Sequence, residues 1–320
     1  MESNGLNSLR ARSNLAVLLL AFASIYIIWG STYLAIRYAI ETIPPLLTAA
    51  VRHLTAGSLL LLWAVGRGYR PTRREWYSSA VLGFMFFFIG HGTLHWAEQV
   101  VPSGLAALLI ATEPMWIALL SLFIGAEKTA MNLANIGGLV LGFVGVGLLT
   151  SDGSIASSRA SLLASIAILL STLVWCLGMF YSKKAPLPKD ALARAAMPMF
   201  CASFMLLVTA GIAGEFNGFA LQQVTAKSGL GLLYLIVFGS IVAFTSYTWL
   251  LHHCSASLIA THTYVNPVVA VLLGWLYAGE PFTARTAVAT VLVVIAVMCV
   301  TLGTAEKEPQ PEEREAVEAT

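Results

Sequence analysis

Ten apolar stretches divide this chain, and each is about as long as a helix that crosses a lipid bilayer. They run over 15–38, 46–66, 77–97, 102–124, 132–150, 160–182, 193–213, 228–250, 256–278 and 284–303. A membrane-spanning helix needs about 20 mostly apolar residues. Only 11% of the 320 residues are charged, whereas soluble domains carry about 25%. The sequence therefore predicts an all-α polytopic membrane protein with ten transmembrane helices.

The two ends of the chain differ in character. Arg10 and Arg12 precede the first apolar run, as in a secretory signal. That run continues without an Ala-x-Ala cleavage site, so we expect an uncleaved first span. After the last run, residues 305–320 are rich in glutamate and contain proline. Such a segment cannot bury a core and is expected to be disordered.

One segment of the first half recurs in the second half. A shift of 153 residues places 99–128 on 252–281, and seven of 33 positions are identical between 96–128 and 249–281. The matched pairs are Trp96 and Trp249, Glu113 and Asn266, Pro114 and Pro267, and Glu127 and Glu280. At an offset of 146, Trp29 matches Trp175 and Arg37 matches Lys183. Since each half holds an odd number of spans, the second copy must enter the membrane from the opposite side, which predicts two inverted five-helix repeats.

The basic residues set the orientation of these repeats. With the amino terminus in the cytoplasm, the inner loops and tails carry 13 of the 18 lysines and arginines. The positive-inside rule then places both termini in the cytoplasm. The predicted organisation is a tail over 1–14, a first repeat over 15–151, a second repeat over 152–304 and a tail over 305–320. The basic residues flank apolar runs and form no patch, so we expect no nucleic-acid partner.

Two prolines lie inside predicted spans at matched positions, Pro114 and Pro267. A proline in a helix interior leaves the carbonyl four residues earlier without its donor. These carbonyls belong to Ile110 and Thr263. In lipid such a group must find another partner or face a cavity. The pair predicts two helix breaks, at similar depth, that line one site.

Glu113 is the clearest ionisable residue near the middle of a predicted span. A charge at that depth costs about 2.5–3.5 kcal/mol on insertion scales. One interpretation is a proton site or a counter-charge for a substrate amine. The alternative is a structural role, as a protonated acid bonded to a neighbouring helix or as the partner of an arginine.

Other polar and aromatic residues share the faces that these prolines mark. Asn266 and His262 are four residues apart, on one face of the ninth span. The predicted substrate-binding or cavity residues are Glu113, Pro114, His262, Asn266, Pro267, Trp29, Thr32, Trp175 and His95. The predicted gate or anchor residues at span ends are Arg37, Lys183, Glu127 and Glu280. Helix packing and snorkelling to the membrane surface remain the alternatives for these residues.

A metal site deserves a separate test. His91, His95 and Glu98 recur at i, i+4 and i+7 on one helix face. The segment lacks the glutamate that follows the first histidine in zinc proteases. The four cysteines show no metal-binding or disulfide spacing. We therefore expect no metal, no cofactor and no catalytic residues, and an intramembrane metal-dependent enzyme built on these three residues is the less favoured class.

Four motifs resemble the EamA family of the drug/metabolite transporter superfamily, close to its YedA-like bacterial branch. They are YIIWGSTYLAIRYAI at 26–40, RHLTAGSLLL at 52–61, AEQVVPSGLAALL at 97–109 and YVNPVVAVLLGWLYAGE at 264–280. The resemblance implies ten helices in two inverted five-helix repeats around a central cavity, in the inner (plasma) membrane of a bacterium. It also implies a secondary transporter that exports small organic metabolites such as amino acids by alternating access.

Several properties of such a transporter stay open at this point. Proton coupling is one expectation, and an uncoupled facilitator or channel for small solutes is the alternative. The expected partners are a small-molecule substrate and the lipid bilayer, with the protein a monomer or homodimer. Glu113 departs from the family pattern, because that position is commonly apolar or small and polar.

Overall fold

A computed structural model of the protein describes residues 15–124, 133–150, 158–251, 253–254, 258–259 and 261–305. The longer helices in these ranges are α1 (Leu15–Ala39), α2 (Pro45–Gly66), α3 (Arg73–Ala97), α4 (Ser103–Ile110), α5 (Glu113–Ile124), α6 (Leu133–Thr150), α7 (Arg159–Ser182), α8 (Ala191–Ile212), α9 (226–251), α10 (His262–Ala278) and α11 (Ala284–Ala305). The described residues contain no strand. The predicted all-α fold class is confirmed.

Length and hydropathy identify the helices that can cross a bilayer. Seven helices of the described ranges meet both criteria: α1, α2, α3, the α4–α5 pair, α7, α8 and α9. Each of the ten predicted spans overlaps a helix or, over 102–124, this pair. Large apolar side chains such as Leu20, Leu62 and Ile212 point outward with 68%, 69% and 83% exposure. Lipid is the environment that suits such a surface.

Local sequence explains where several helices begin. Thr72 and Glu75 form a capping box, in which each side chain accepts a backbone N–H of the other residue. Ser158, Asp190 and Thr225 cap α7, α8 and α9 through a side-chain oxygen. These bonds satisfy backbone donors that a helix start would otherwise leave free.

A helix break occurs in each half, but the two lie at different distances from the matched prolines. Ala111 and Thr112 form a turn between α4 and α5. Pro114 is the second residue of α5, where its missing N–H has no intrahelical role. In the second half, Thr261 forms a turn between the helical residues 258–259 and α10. Pro267, in contrast, lies inside α10, which runs unbroken from His262 to Ala278. The second break therefore lies six residues before Pro267 and not at the proline itself, which corrects its predicted position.

Three helices contain π-helical segments, over Ser24–Ile28, Gly83–His91 and Leu235–Val242. Such segments are rare and occur often at functional sites, because they redirect side chains and loosen the backbone hydrogen bonds. The offset of 153 carries 83–91 onto 236–244, which overlaps the third segment. α3 and α9 therefore share an unusual backbone feature at matched positions.

Two peripheral helix pairs frame the bundle. α2 packs along α8, and α6 packs along α11. A Cβ added to Gly57 of α2 would lie 2.8 Å from the backbone nitrogen of Phe200, and one on Gly138 of α6 would lie 2.8 Å from the carbonyl oxygen of Ala296. Only glycine allows such close backbone approach. The remaining helices meet in the middle of the bundle.

One end of the bundle is closed by polar contacts, and we call it the Glu280 end. Glu280 follows α10, and its carboxylate accepts the N–H groups of Ser103 and Gly104 at 2.6 and 3.0 Å. The Tyr38 hydroxyl donates to the Tyr277 carbonyl at 2.7 Å. α4 packs along α10 here, whereas at the opposite end the described parts of α5 and α10 do not pack along one another.

Candidate substrate cavity

A cavity of about 160 Å³ lies between helices of both halves. Its lining residues are Trp29, Thr32, Tyr33, Ile36, Arg52, Gly90, His91, Leu94, Ile110, Glu113, Ser171, Thr172, Trp175, Phe244, His262, Thr263 and Asn266. Clefts that hold drug-sized ligands measure about 300–1,000 Å³. The central cavity therefore suits a small solute.

Six of the nine predicted cavity residues meet in this lining: Trp29, Thr32, Glu113, Trp175, His262 and Asn266. Glu113 opens α5 directly after the turn, so the helix break presents its half-buried carboxyl group to the cavity. Pro114, Pro267 and His95 do not line it.

Arg52 is a cavity residue that belongs to neither of the predicted sets. Its position near the start of a predicted span is typical of an anchor at the membrane surface, yet its side chain is 4% exposed and lines the cavity. Its Nε donates to the Ser240 hydroxyl at 3.0 Å. Gly239 leaves room for the guanidinium, since a Cβ there would lie 3.3 Å from Nη2. An arginine seven residues inside α2 was the available signal.

Aromatic rings form part of the cavity wall. The Trp29 ring lies 5.3 Å from the His262 ring and 5.6 Å from the Phe244 ring, and its Nε1 donates to the Gly239 carbonyl. The Trp175 ring stacks on His91 with centroids 5.7 Å apart. These rings can contact apolar parts of a solute.

Asn266 ties α10 to the π-helical segment of α1. With its amide nitrogen assigned to the side that faces α1, it donates to the carbonyl oxygens of Ile25 and Tyr26 at 3.1 and 3.0 Å. His262 contacts the Ile259 carbonyl through Nδ1 at 2.8 Å. Thr32 donates to the Trp29 carbonyl at 2.6 Å. These three side chains were predicted to bind a solute, and each uses a hydrogen-bonding group for a contact with the backbone instead.

The predicted gate or anchor residues have separate locations. Arg37 donates through Nη1 to the Glu98 carbonyl at the Glu280 end. Lys183 is exposed, with its ammonium 5.7 Å from the Phe180 ring centre. Glu127 lies outside the described residues.

His91, His95 and Glu98 do not surround a common point. His91 Nδ1 faces His53 Nε2 at 3.0 Å, and His95 Nδ1 faces the His91 carbonyl at 2.7 Å. Across the described ranges, no three histidine, cysteine, aspartate or glutamate side chains are placed to hold a metal ion. The geometry gives no support to the metal-dependent alternative.

A bundle of apolar helices with lipid-compatible outer surfaces, around a cavity lined by aromatic and polar side chains, is typical of a membrane transport protein. The EamA-like transporter family matches this chain over residues 15–151 and 162–302. The chain belongs to that family.

Individual proteins show the same likeness. The inner membrane transporter YedA of Escherichia coli (strain K12) is 37% identical over 286 residues, which cover 88% of this chain and 90% of YedA. The transporter YvbV of Bacillus subtilis (strain 168) is 27% identical over 288 residues, which cover 88% and 90% of the two chains. A solved crystal structure superposes with a TM-score of 0.60 at 18% identity and covers 92% of this chain and 99% of its own. That likeness concerns the fold.

Proposed function

We propose that the protein is a secondary transporter that exports small organic metabolites, such as amino acids, across the inner membrane by alternating access coupled to protons. Its ten spans form two inverted repeats, and both termini face the cytoplasm. The observation that carries the proposal is a cavity between helices of both halves. Among the described residues that line it, Glu113 and Arg52 are the only ones of the Asp, Glu, Lys and Arg types.

Three observations support an internal duplication. The family matches the two halves separately. The π-helical segments of α3 and α9 fall at matched positions, and the peripheral pairs α2–α8 and α6–α11 each join one helix from either half. Two related halves around one cavity are the arrangement that alternating access uses.

The closed Glu280 end determines from which side of the membrane the cavity would be accessible. With the orientation predicted by the positive-inside rule, that end faces the periplasm. The cavity would then be sealed from the outside and accessible from the cytoplasm, which is the state in which an exporter loads its cargo. Glu280 acts in this proposal as a gate residue, because it joins the end of α10 to the start of α4.

The charges of the lining favour a zwitterionic solute. The Arg52 guanidinium can pair with a carboxylate, and the Glu113 carboxyl group can pair with an ammonium group or exchange protons. Trp29 and Trp175, which also line the cavity, can contact an apolar part of the same solute.

A resistance screen tests the function. Cells that overproduce the protein are challenged with a panel of toxic amino-acid analogues and metabolites, and we expect survival to rise for at least one compound. Counterflow of that compound in proteoliposomes then separates a carrier from an open channel, because channels show none. No resistance in the panel together with no counterflow of natural amino acids contradicts the proposal.

Glu113→Gln assigns the role of the acid. If Glu113 exchanges protons, the variant keeps binding and counterflow but loses accumulation driven by a pH gradient. If it pairs with a substrate amine, affinity falls by about 1.5–3 kcal/mol, or about 10- to 150-fold. Glu75→Gln, outside the cavity, is the matched control. Transport by Glu113→Gln equal to that of the control would reduce Glu113 to a structural residue.

A further inference from the structure

Glu98 is an acid for which the proposed transport cycle has no role. It directly follows α3, and its side chain is fully buried at 0% exposure. Both carboxylate oxygens are buried without a hydrogen-bond partner among the described residues. An ionised carboxylate stripped of water and donors costs several kcal/mol. The conformation with a closed Glu280 end therefore holds this group in its neutral form.

Charged and titratable groups face Glu98 from the neighbouring elements. They are Tyr33 and Arg37 from α1, Arg52 from α2, and Glu280 after α10. Burial raises the pKa of the Glu98 carboxyl well above its usual range, and the Glu280 charge acts in the same direction. Arg37 and Arg52 oppose these effects. Two counter-charges are thus close, although neither forms a hydrogen bond with the carboxylate in this state.

The end of α3, directly before Glu98, packs against α7. Ala97 belongs to the same apolar cluster as Ala164 and Ile168 of α7. His95, one turn earlier on α3, is fully buried, and its Nε2 has no partner among the described residues. Buried polar atoms without partners are rare in proteins, and they mark places where a proton, water or ion belongs or where a different conformation satisfies them.

Glu98 is also distinct from the central cavity. It is absent from the lining, whereas Arg52 belongs to the lining and faces Glu98 as well. The Arg37 guanidinium, in turn, binds the backbone carbonyl of Glu98 at the Glu280 end. Glu98 therefore lies between the cavity and the contacts that close this end.

We propose that Glu98 is a proton-binding site, separate from Glu113, which is protonated while the Glu280 end is closed and releases its proton when that end opens. The O–H bond of the carboxyl group breaks, the proton passes to water, and the remaining carboxylate is balanced by Arg37 and Arg52. This inference rests on the proposed alternating-access function. Because the closed state binds the proton more tightly, low pH favours closure and high pH favours opening, by up to about tenfold per pH unit for one proton.

The test measures opening directly, without a substrate. The full chain, with its four native cysteines replaced, carries spin labels at Val100→Cys and Tyr277→Cys, two exposed positions at the Glu280 end. Pulsed electron paramagnetic resonance in lipid nanodiscs then gives the distance distribution from acidic to alkaline pH. We expect the parent to shift toward longer distances as the pH rises.

Substitution of the acid should abolish this response. Glu98→Gln mimics the neutral form and is expected to keep the short distance at every pH, and Glu98→Met serves if the amide does not fold. Glu75→Gln, which lies outside the cavity at the start of α3, should respond as the parent does. A parent that does not respond to pH, or Glu98 variants that respond normally, overturns the proposal.

Counterflow on the same preparations separates this inference from the proposed function. Loss of the pH response in the Glu98 variants with intact counterflow in the parent supports both. A parent that opens with pH through Glu98 but carries no solute in any counterflow assay overturns the transport function and leaves the proton site standing.

Discussion

Glu280→Gln should release the closed end of the bundle. The Glu280 carboxylate accepts two backbone N–H groups at the first two positions of α4, with distances of 2.6 and 3.0 Å. A negative charge at a helix start also interacts favourably with the helix dipole. Glutamine retains one acceptor oxygen and replaces the other with an N–H₂ group that cannot accept.

The magnitude follows from these contacts. Hydrogen bonds to a charged group contribute about 1.5–3 kcal/mol each, and neutral ones about 0.5–1.5 kcal/mol. Loss of one charged bond, and conversion of the other into a neutral bond, should destabilise the closed end by about 2.5–4.5 kcal/mol. This is a shift of about 60- to 1,600-fold in the equilibrium between closed and open states.

Cysteine labelling from outside the cell provides the assay. Thr32→Cys places a nearly isosteric thiol in the cavity lining, where a membrane-impermeant maleimide added outside reaches it only when the Glu280 end opens. The labelling rate should rise by the same factor until the open state dominates. Gly274→Ala should act in the same direction, because its Cβ would lie 2.4 Å from Oε2 of Glu280.

Glu215 supplies a matched control. Its carboxylate accepts the N–H groups of Leu46 and Leu47 at 3.1 and 2.8 Å, so Glu215→Gln removes the same chemistry at the start of α2. That helix is packed along α8, and the Glu215 contact involves neither α4 nor α10. Labelling of Glu280→Gln at the parent's rate, or an equal increase in Glu215→Gln, would refute the reasoning.

Two further predictions concern access and orientation. Ile110 and Thr263 line the cavity, so the variants Ile110→Cys and Thr263→Cys should react with small water-soluble thiol reagents, and a transported solute should protect them. Leu108 is fully buried, so Leu108→Cys should not react. No reaction at either lining position in any condition would contradict the assigned cavity. Reporter fusions at Arg10 and Pro309 should both report a cytoplasmic location, and a periplasmic signal from either would contradict the ten-span topology.

Helix positions followed directly from the sequence, because the bilayer imposes a minimum apolar length. The sequence around Gly57 and Gly138, however, did not indicate which helices pack against each other at these glycines. Close packing of α2 with α8 and of α6 with α11 depends on contacts between distant parts of the chain. Helix existence is a local property in such a protein, and helix pairing is not.

The cavity was predictable only in part for a related reason. Glu113 and Asn266 could be placed at mid-span by counting residues, but the direction in which a side chain points depends on the rotation of its helix. Arg52 and His95 show the effect: the first lines the cavity and the second is buried beside it. Pro267 adds a further limit, because a proline permits a helix break and the packing around it decides where the break forms.

The turn at Ala111 and Thr112 lies directly before the helix that begins with Glu113 and Pro114, whereas the turn at Thr261 lies six residues before Pro267, and α10 runs unbroken through that proline. If the two halves exchange conformations as proposed, these two arrangements change places in every cycle. The turn of the first half would move to 108 and that of the second half to 264–265, the positions given by the 153-residue offset. Backbone hydrogen bonds lost in one half would then be regained in the other. Two access states of nearly equal energy would follow, so that a modest gradient of solute or protons could set the direction of travel.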